Sequence, residues 1–391
     1  MGASTTEYLR RVLENARPHD EGKPADYIEK LREADTSRLA VALAPVDGGV
    51  YCAGDDDFEF SIQSISKPFV YAIAIEDVGL ENVLAKIGVE PSGQGFRELS
   101  LQKNSNRPYN PMINAGAITA HSLVVGADAT METRFDRILM VLSRLAGRQL
   151  SVDEEVYQAE LENAYRNMGL GHMLKAAGII VCDPAEAVRG YIRQCSIKVS
   201  VRDLAVMASV LCNSGVHPRT GEAIMRPEIA RQVLSVMATC GMYDGSGEWL
   251  AKVGFSAKSG VAGGIMGALP SKMGIATFSP NLDNIGNSVR SIHICEQLSN
   301  DLRLHMMDCS RLMPPPLQTI AAELGVASSS HNPLPRSSRE SGFICNFREV
   351  VTIGAKLGAA VRTPASCLPR KATTLLIYWY FNWSSKRNRA G

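Results

Sequence analysis

Strand-like runs stand at both ends of the patterned part of this chain, and helical patterns fill the interval between them. LAVALAPV and VYCAG flank a DGG turn and predict one β-hairpin over residues 39–54. GVAGGIMGALP and MGIATFSP, joined by SK, predict a second over residues 260–280. Between the two, LENVLAKIG, RFDRILMVLSRLAG, VSVRDLAVMASVLCNSG and EIARQVLSVMATCG repeat apolar residues at helical spacing. EYLRRVLEN and ADYIEKLREA read as helices ahead of the first hairpin, and VRSIHICEQLSNDLR as a helix behind the second. The economical arrangement is an α+β fold: one antiparallel sheet built from both chain ends, flanked by helices, with a helical insertion. A cleft between sheet and insertion is then the expected place for an active site. The expected catalytic domain is residues 1–307, with its sheet portion at about 20–60 and 250–307 and its helical portion at about 64–250.

Residues 308–391 break the pattern. MPPPLQTI, SSSHNPLPRSSRES and RTPASCLPRKATT are rich in Pro and Ser, and the segment holds 11 Lys and Arg against 4 Asp and Glu. It is expected to be a disordered basic tail. The formal net charge of +1 therefore hides a mildly acidic body, which offers nucleic acid no electrostatic footprint. MGASTTEYLRRVLENARP has no apolar signal core, and TTLLIYWYFNW is too short to span a bilayer. The 9 cysteines are scattered without a CxxC pair, which favours reduced thiols, and the 7 histidines form no HExxH. These features predict a soluble cytoplasmic protein with no membrane partner and no metal.

The chemistry is concentrated in FSIQSISKPFVYAIAIEDVG, residues 60–79. A lysine placed just ahead of the apolar run Phe69, Val70, Ala72, Ile73, Ala74, Ile75 needs a partner or a task. Serine is a poor nucleophile without an adjacent base. Lys67 lies three residues after Ser64, so on a helix the two share a face, and a desolvated lysine has a lowered pKa. Pro68 fits a first helical turn, which predicts a helix starting at Ser64 or just before it. Ser66 reads as structural. A second Ser-x-x-Lys, Ser100 to Lys103, runs into the loop-like KNSNRPYN instead of a helix.

AKSGVAGG adds a second element: Lys258-Ser259-Gly260 at the start of a predicted strand, followed by glycines that let a substrate approach the backbone. Penicillin-recognising serine enzymes combine Ser-x-x-Lys with Lys-Thr-Gly on a strand edging the site, and serine for threonine keeps the hydroxyl. Lys258 and Ser259 are therefore secondary site candidates.

FSIQSISKPF, EPSGQGF, NPMINAGAI, CSIKVS, CGMYDGSGEW, AKSGVAGGIMGALP and GNSVRSIH follow one another as in the serine-dependent glutaminases, which the chain resembles over roughly residues 20–307. That resemblance implies a β-lactamase-like (DD-peptidase-like) fold and hydrolysis of L-glutamine to L-glutamate and ammonia, without a metal or organic cofactor. It further implies a homo-oligomer, a dimer or tetramer. It marks Ser64 as nucleophile and Lys67 as its base. Tyr27, Asn114, Asn167, Tyr191 and Tyr243 match substrate-site residues. Glu160 matches the carboxylate that pairs with the substrate ammonium. Val261 matches the residue whose backbone N–H completes an oxyanion hole with that of Ser64. Singly, these asparagines, tyrosines and the glutamate read as turn, packing or surface positions.

Two rivals remain from sequence. One is another acyl hydrolase of the same fold, a β-lactamase or D,D-peptidase, for which the chain lacks a signal peptide and a Ser-Asp-Asn. The other is a non-catalytic assembly protein on this fold, which the presence of Ser64, Lys67 and Tyr243 disfavours.

Overall fold

The computed structural model describes residues 5–93 and 101–308. The expected tail at 308–391 lies outside the described residues apart from its first position, as does Ser100 of the second Ser-x-x-Lys.

Five strands form the main sheet: β1 (Ala40–Pro45), β2 (Tyr51–Gly54), and, after two short strands taken up below, β5 (Ser256–Gly260), β6 (Gly264–Leu269) and β7 (Met273–Phe278). The two short strands are β3 (Phe60–Ser61) and β4 (Lys198–Val199), which pair with each other. The main order is β2-β1-β7-β6-β5, with every described pairing antiparallel. Both sequence hairpins are present, and β1 against β7 joins them into one sheet (Ala40 opposite Phe278, Pro45 opposite Met273).

Alternation along these strands makes two unlike faces. Val41, Leu43, Ala257, Ile265 and Ile275 pack with α1 (Thr5–Ala16) and with a helix over Val289–Leu302. The other face is paved with Ala40, Ala42, Ala44, Ala268 and Ala276. Those small side chains let one helix, Val201–Cys212, lie against the sheet, and only Arg202 of that helix escapes burial. At Gly274 the approach is closest, since a Cβ there would stand 2.1 Å from the Ala205 carbonyl oxygen. Ser200 and Asp203 close a capping box at the helix start, and Arg148 holds both Asp203 oxygens at 2.8 and 2.6 Å.

In chain order the remaining helices are α2 (Glu29–Arg32), α3 (Ser66–Val78), α4 (Leu80–Leu84), α5 (Asn114–Leu123), α6 (Met131–Ala146), α7 (Glu154–Glu162), α8 (Tyr165–Ala176) and α9 (Pro184–Cys195). The sheet-bound helix is α10, followed by α11 (Pro227–Cys240) and α12 (Ser246–Lys252), and the helix over Val289–Leu302, the last among the described residues, is α13. Ile118 of α5, Leu170 and Leu174 of α8, and Val188 and Ile192 of α9 form a separate apolar cluster. ADYIEKLREA is helical only from Glu29, because residues 26–28 turn instead and leave Tyr27 on the surface.

Candidate active site

The expected helix start at Ser64 is off by one local element. Gln63–Ile65 form a 3₁₀ turn, and the α-helix begins at Ser66. The approach strand is tied down by the β3–β4 pair and by Ile62 N–H donating to Ile197 O at 2.8 Å. Gln63 then takes φ +50, a left-handed conformation that a bulky side chain rarely adopts. This sharp strand–turn–helix passage presents Ser64, otherwise buried, to a cavity of about 200 Å³. By liquid volume that is room for roughly seven waters, the scale of one amino acid.

That cavity gathers residues scattered over the sequence. Tyr27, Ser64, Asn114, Glu160, Asn167, Tyr191 and Val261 line it together, with Ile28, Gln63, Asn163, Ala164 and Arg166 beside them. Asn114 stands at the start of α5 and is the hub of the polar wall. Its Oδ1 accepts from Lys67 Nζ at 2.8 Å and from the Tyr191 hydroxyl at 3.2 Å, while its Nδ2 donates to Asn167 Oδ1 at 3.0 Å.

Lys67 is fully buried one turn behind Ser64. Its Nζ donates to Asn114 and to Met112 O (3.1 Å), not to the Ser64 hydroxyl. Burial lowers its pKa to about 8, against the pull of the Cys195 and Glu160 charges. Glu160, on α7, keeps some accessible surface as a residue. Its carboxyl group is nevertheless withdrawn from water and has no ion-pair partner among the described residues, which pushes it up to about 7. A 3.4 Å contact from Gln63 Nε2 and the charge of Lys67 act in the opposite direction.

Behind Ser64, Tyr243 sits in a 3₁₀ turn at φ +54. Its hydroxyl donates to Ser259 O at 3.1 Å and is hydrogen-bonded to the Ser64 side chain. Burial raises its pKa, so the phenol stays protonated. Lys258 backs this ring, with Nζ 4.4 Å from the ring centroid and bonded to Gly241 O (2.9 Å) and Ser259 O (2.8 Å). Burial, and then the Lys67 charge, drive the Lys258 pKa well down.

Two expectations about the second motif change. Lys258-Ser259-Gly260 closes strand β5 instead of opening a strand, and Val261–Gly263 make the turn into β6. Ser259 pairs with Ile265, so strand alternation turns its side chain to the α1/α13 face. Its hydroxyl has no hydrogen-bond partner among the described residues, and it is the carbonyl that serves the site. The amides of Ser64 and Val261 donate to no backbone carbonyl among the described residues.

Among the described residues the grouping of possible metal donors is His19, Glu21 and His293, none of which lines the cavity. The two imidazoles stack at 3.6 Å with 14° between planes, so their in-plane lone pairs run side by side instead of meeting at one ion.

A family model described as glutaminase matches residues 22–307. The glutaminase of Corynebacterium efficiens is 49% identical over 306 residues, covering 78% of this chain and 72% of the relative. The chain belongs to the serine-dependent glutaminase family. The glutaminase of Corynebacterium glutamicum is 50% identical over 306 residues, 78% of this chain and 74% of its own length. Among solved structures, Mglu in its tris and glutamate form superimposes with a TM-score of 0.77 at 48% identity, over 80% of this chain and 69% of that one. A probable glutaminase from Bacillus subtilis, complexed with 6-diazo-5-oxo-L-norleucine, gives 0.72 at 31% identity, over 78% and 98%. The fold is the α+β, β-lactamase-like fold of these glutaminases. No helix among the described residues is long and apolar enough to cross a membrane.

Gln63, Ile28, Asn163, Ala164 and Arg166 are cavity residues that the sequence reading did not single out. Gln63 alone carried a usable signal, its place directly before the serine of the motif.

Proposed function

We propose that Ser64, Lys67, Tyr243 and the amides of Ser64 and Val261 carry out the reaction of a glutaminase, hydrolysis of L-glutamine to L-glutamate and ammonia. The carrying observation is one cavity that combines a buried serine, a carboxylate without an ion-pair partner and an Asn114–Asn167–Tyr191 wall, with a lysine of lowered pKa directly behind. A free amino acid presents an ammonium, a carboxylate and a side-chain amide, and these groups answer each of them.

In this reading ionised Glu160 holds the ammonium, and Asn114, Asn167, Tyr191 and Tyr27 hold the carboxylate end. The substrate engages the Asn114 amide, and neutral Lys67 takes the Ser64 proton as Oγ attacks the amide carbon. The oxyanion forms against the two amides. The carbon–nitrogen bond then breaks, the nitrogen leaves with that proton as ammonia, and water resolves the ester to glutamate. Tyr243, protonated throughout, fixes the rotamer of the Ser64 hydroxyl.

The catalytic unit is residues 1–307, supported by the family match ending at 307, with 308–391 outside it. A homodimer or homotetramer and a cytoplasmic location follow from the family resemblance and the sequence, and light scattering on the full chain tests the first.

The deciding assay is ammonia release from L-glutamine by wild type and Ser64→Ala, with L-asparagine and a chromogenic β-lactam as competitors. Turnover abolished in the variant supports the assignment. Undiminished turnover in Ser64→Ala removes Ser64 as nucleophile, and preferred β-lactam hydrolysis would favour the rival acyl hydrolase.

A further inference from the structure

The left-handed Gln63 that aims Ser64 is held from behind by a chain of side chains that never reach the cavity. Ser66 Oγ donates to the Gln63 carbonyl at 2.8 Å. Gln194 Nε2, from α9, donates to Ser66 Oγ at 3.2 Å. His121 Nδ1, from α5, stands 2.8 Å from Gln194 Oε1. All three residues are 0% exposed, and none lines the cavity.

The direction of the chain follows from its chemistry. An amide oxygen can only accept, so His121 carries its proton on Nδ1. Burial lowers the imidazole pKa to about 4, leaving the ring neutral with Nε2 as a bare acceptor. That atom has no partner among the described residues and abuts α9 at Gly190, where a Cβ would lie 2.2 Å away. The ring is thus wedged, its N–H orients the Gln194 amide, and the amide in turn orients the Ser66 hydroxyl toward Gln63. An apolar trio would fill this space without any polar group to satisfy. A polar chain bonded at every link, with only the His121 Nε2 end unpaired, instead favours one geometry across three helices.

We propose that Ser66, Gln194 and His121 are positioning residues for catalysis: they brace the Gln63 carbonyl and so hold the strained turn that sets the Ser64 oxygen and N–H. The inference rests on the reading of Ser64 as nucleophile. Ser66 is therefore more than packing, the role its sequence context gives it.

The test uses the full chain and 6-diazo-5-oxo-L-norleucine as a glutamine-like electrophile, with the adduct mapped by mass spectrometry. It also measures kcat and KM for Ser66→Ala, Ser66→Thr, Gln194→Leu and the Ser66→Ala/Gln194→Leu double variant. Ser66→Ala is expected to lower kcat and the labelling rate on the order of 10²-fold, as a displaced nucleophile does, with KM within about threefold. Ser66→Thr, which restores the hydroxyl, should recover most of that loss. The double variant should be no worse than Ser66→Ala alone, because Gln194 acts through Ser66. Ser66→Ala with a lowered Tm but kcat and labelling within about twofold of wild type would overturn the proposal. If Ser66→Ala does not fold, Gln194→Leu decides by the same two readouts, and unchanged values again overturn it. Wild-type label on a residue other than Ser64 would fail the nucleophile reading itself, and the brace with it.

Discussion

Lys67→Met should cost the enzyme its activity and change how its stability responds to pH. The side chain is fully buried, and its pKa falls from 10.5 to about 8, chiefly through desolvation. Between those two values the unfolded chain binds a proton that the folded chain does not, so wild-type stability gains a rising contribution across pH 8–10.5. Below pH 8 both states are charged, and the folded state carries the whole burden of a buried ammonium. At about 1.4 kcal/mol per unit, a shift of this size corresponds to roughly 3 kcal/mol, of which about 2–3 kcal/mol should accrue between pH 7 and pH 10. Methionine has a similar shape and does not titrate, so it lacks this term. The hydrogen bonds lost to Met112 O and Asn114 Oδ1 enter at both pH values and largely cancel in the difference. Urea melts of both proteins at the two pH values measure it by linear extrapolation. The stability of Lys67→Met relative to wild type should drop by about 2–3 kcal/mol on going from pH 7 to pH 10. A relative stability that does not move would mean that Lys67 keeps an ordinary pKa and has no neutral form to serve as base near neutrality.

Activity should follow the same group and one other. kcat/KM is expected to rise with pH along an acid limb near 8, where Lys67 becomes neutral, while Glu160, pushed up to about 7, must ionise to hold the ammonium. Glu160→Gln should raise KM far more than it lowers kcat, by about 1.5–3 kcal/mol of binding for a charge-assisted contact, and an unchanged KM in steady-state assays would remove Glu160 from the ammonium subsite. Gly274→Ala should destabilise the fold by about 1–3 kcal/mol, since the new Cβ meets the Ala205 backbone oxygen at 2.1 Å, and a Tm equal to wild type would refute the close packing of α10 on the sheet.

Much of this is legible in the sequence, and the parts that are not share a cause. Hairpins and long helices announce themselves through local period, so β1–β2, β6–β7, α6, α10, α11 and α13 fall where the pattern puts them. Ser64 and Lys67 were legible because their chemistry needs a fixed spacing along one element. Local period does not say which way a side chain faces once a strand has closed. Ser259 looked like the hydroxyl of a substrate-edging motif, but its register opposite Ile265 sends that hydroxyl to the far face. The path of the Lys67 ammonium was equally hidden, because its acceptor Asn114 is 47 positions away and is brought near only by the α3–α5 packing.

The same logic explains why the site's least comfortable features sit together. Gln63 and Tyr243 hold positive φ on either side of Ser64, and two lysines, Lys67 and Lys258, are buried within mutual electrostatic reach. Each feature costs stability, and none has a local sequence preference in its favour. They persist because the surroundings leave no alternative. β3 is clamped by β4, Ser66 holds the Gln63 carbonyl, and Lys258 is fastened to the carbonyls of Gly241 and Ser259. A turn that relaxed to ordinary φ would swing Ser64 away from the Asn114–Tyr191 wall and from the Val261 amide at once. Strain at Gln63 and reactivity at Ser64 are therefore one structural fact seen from two residues, and relief of the first should be measurable as loss of the second.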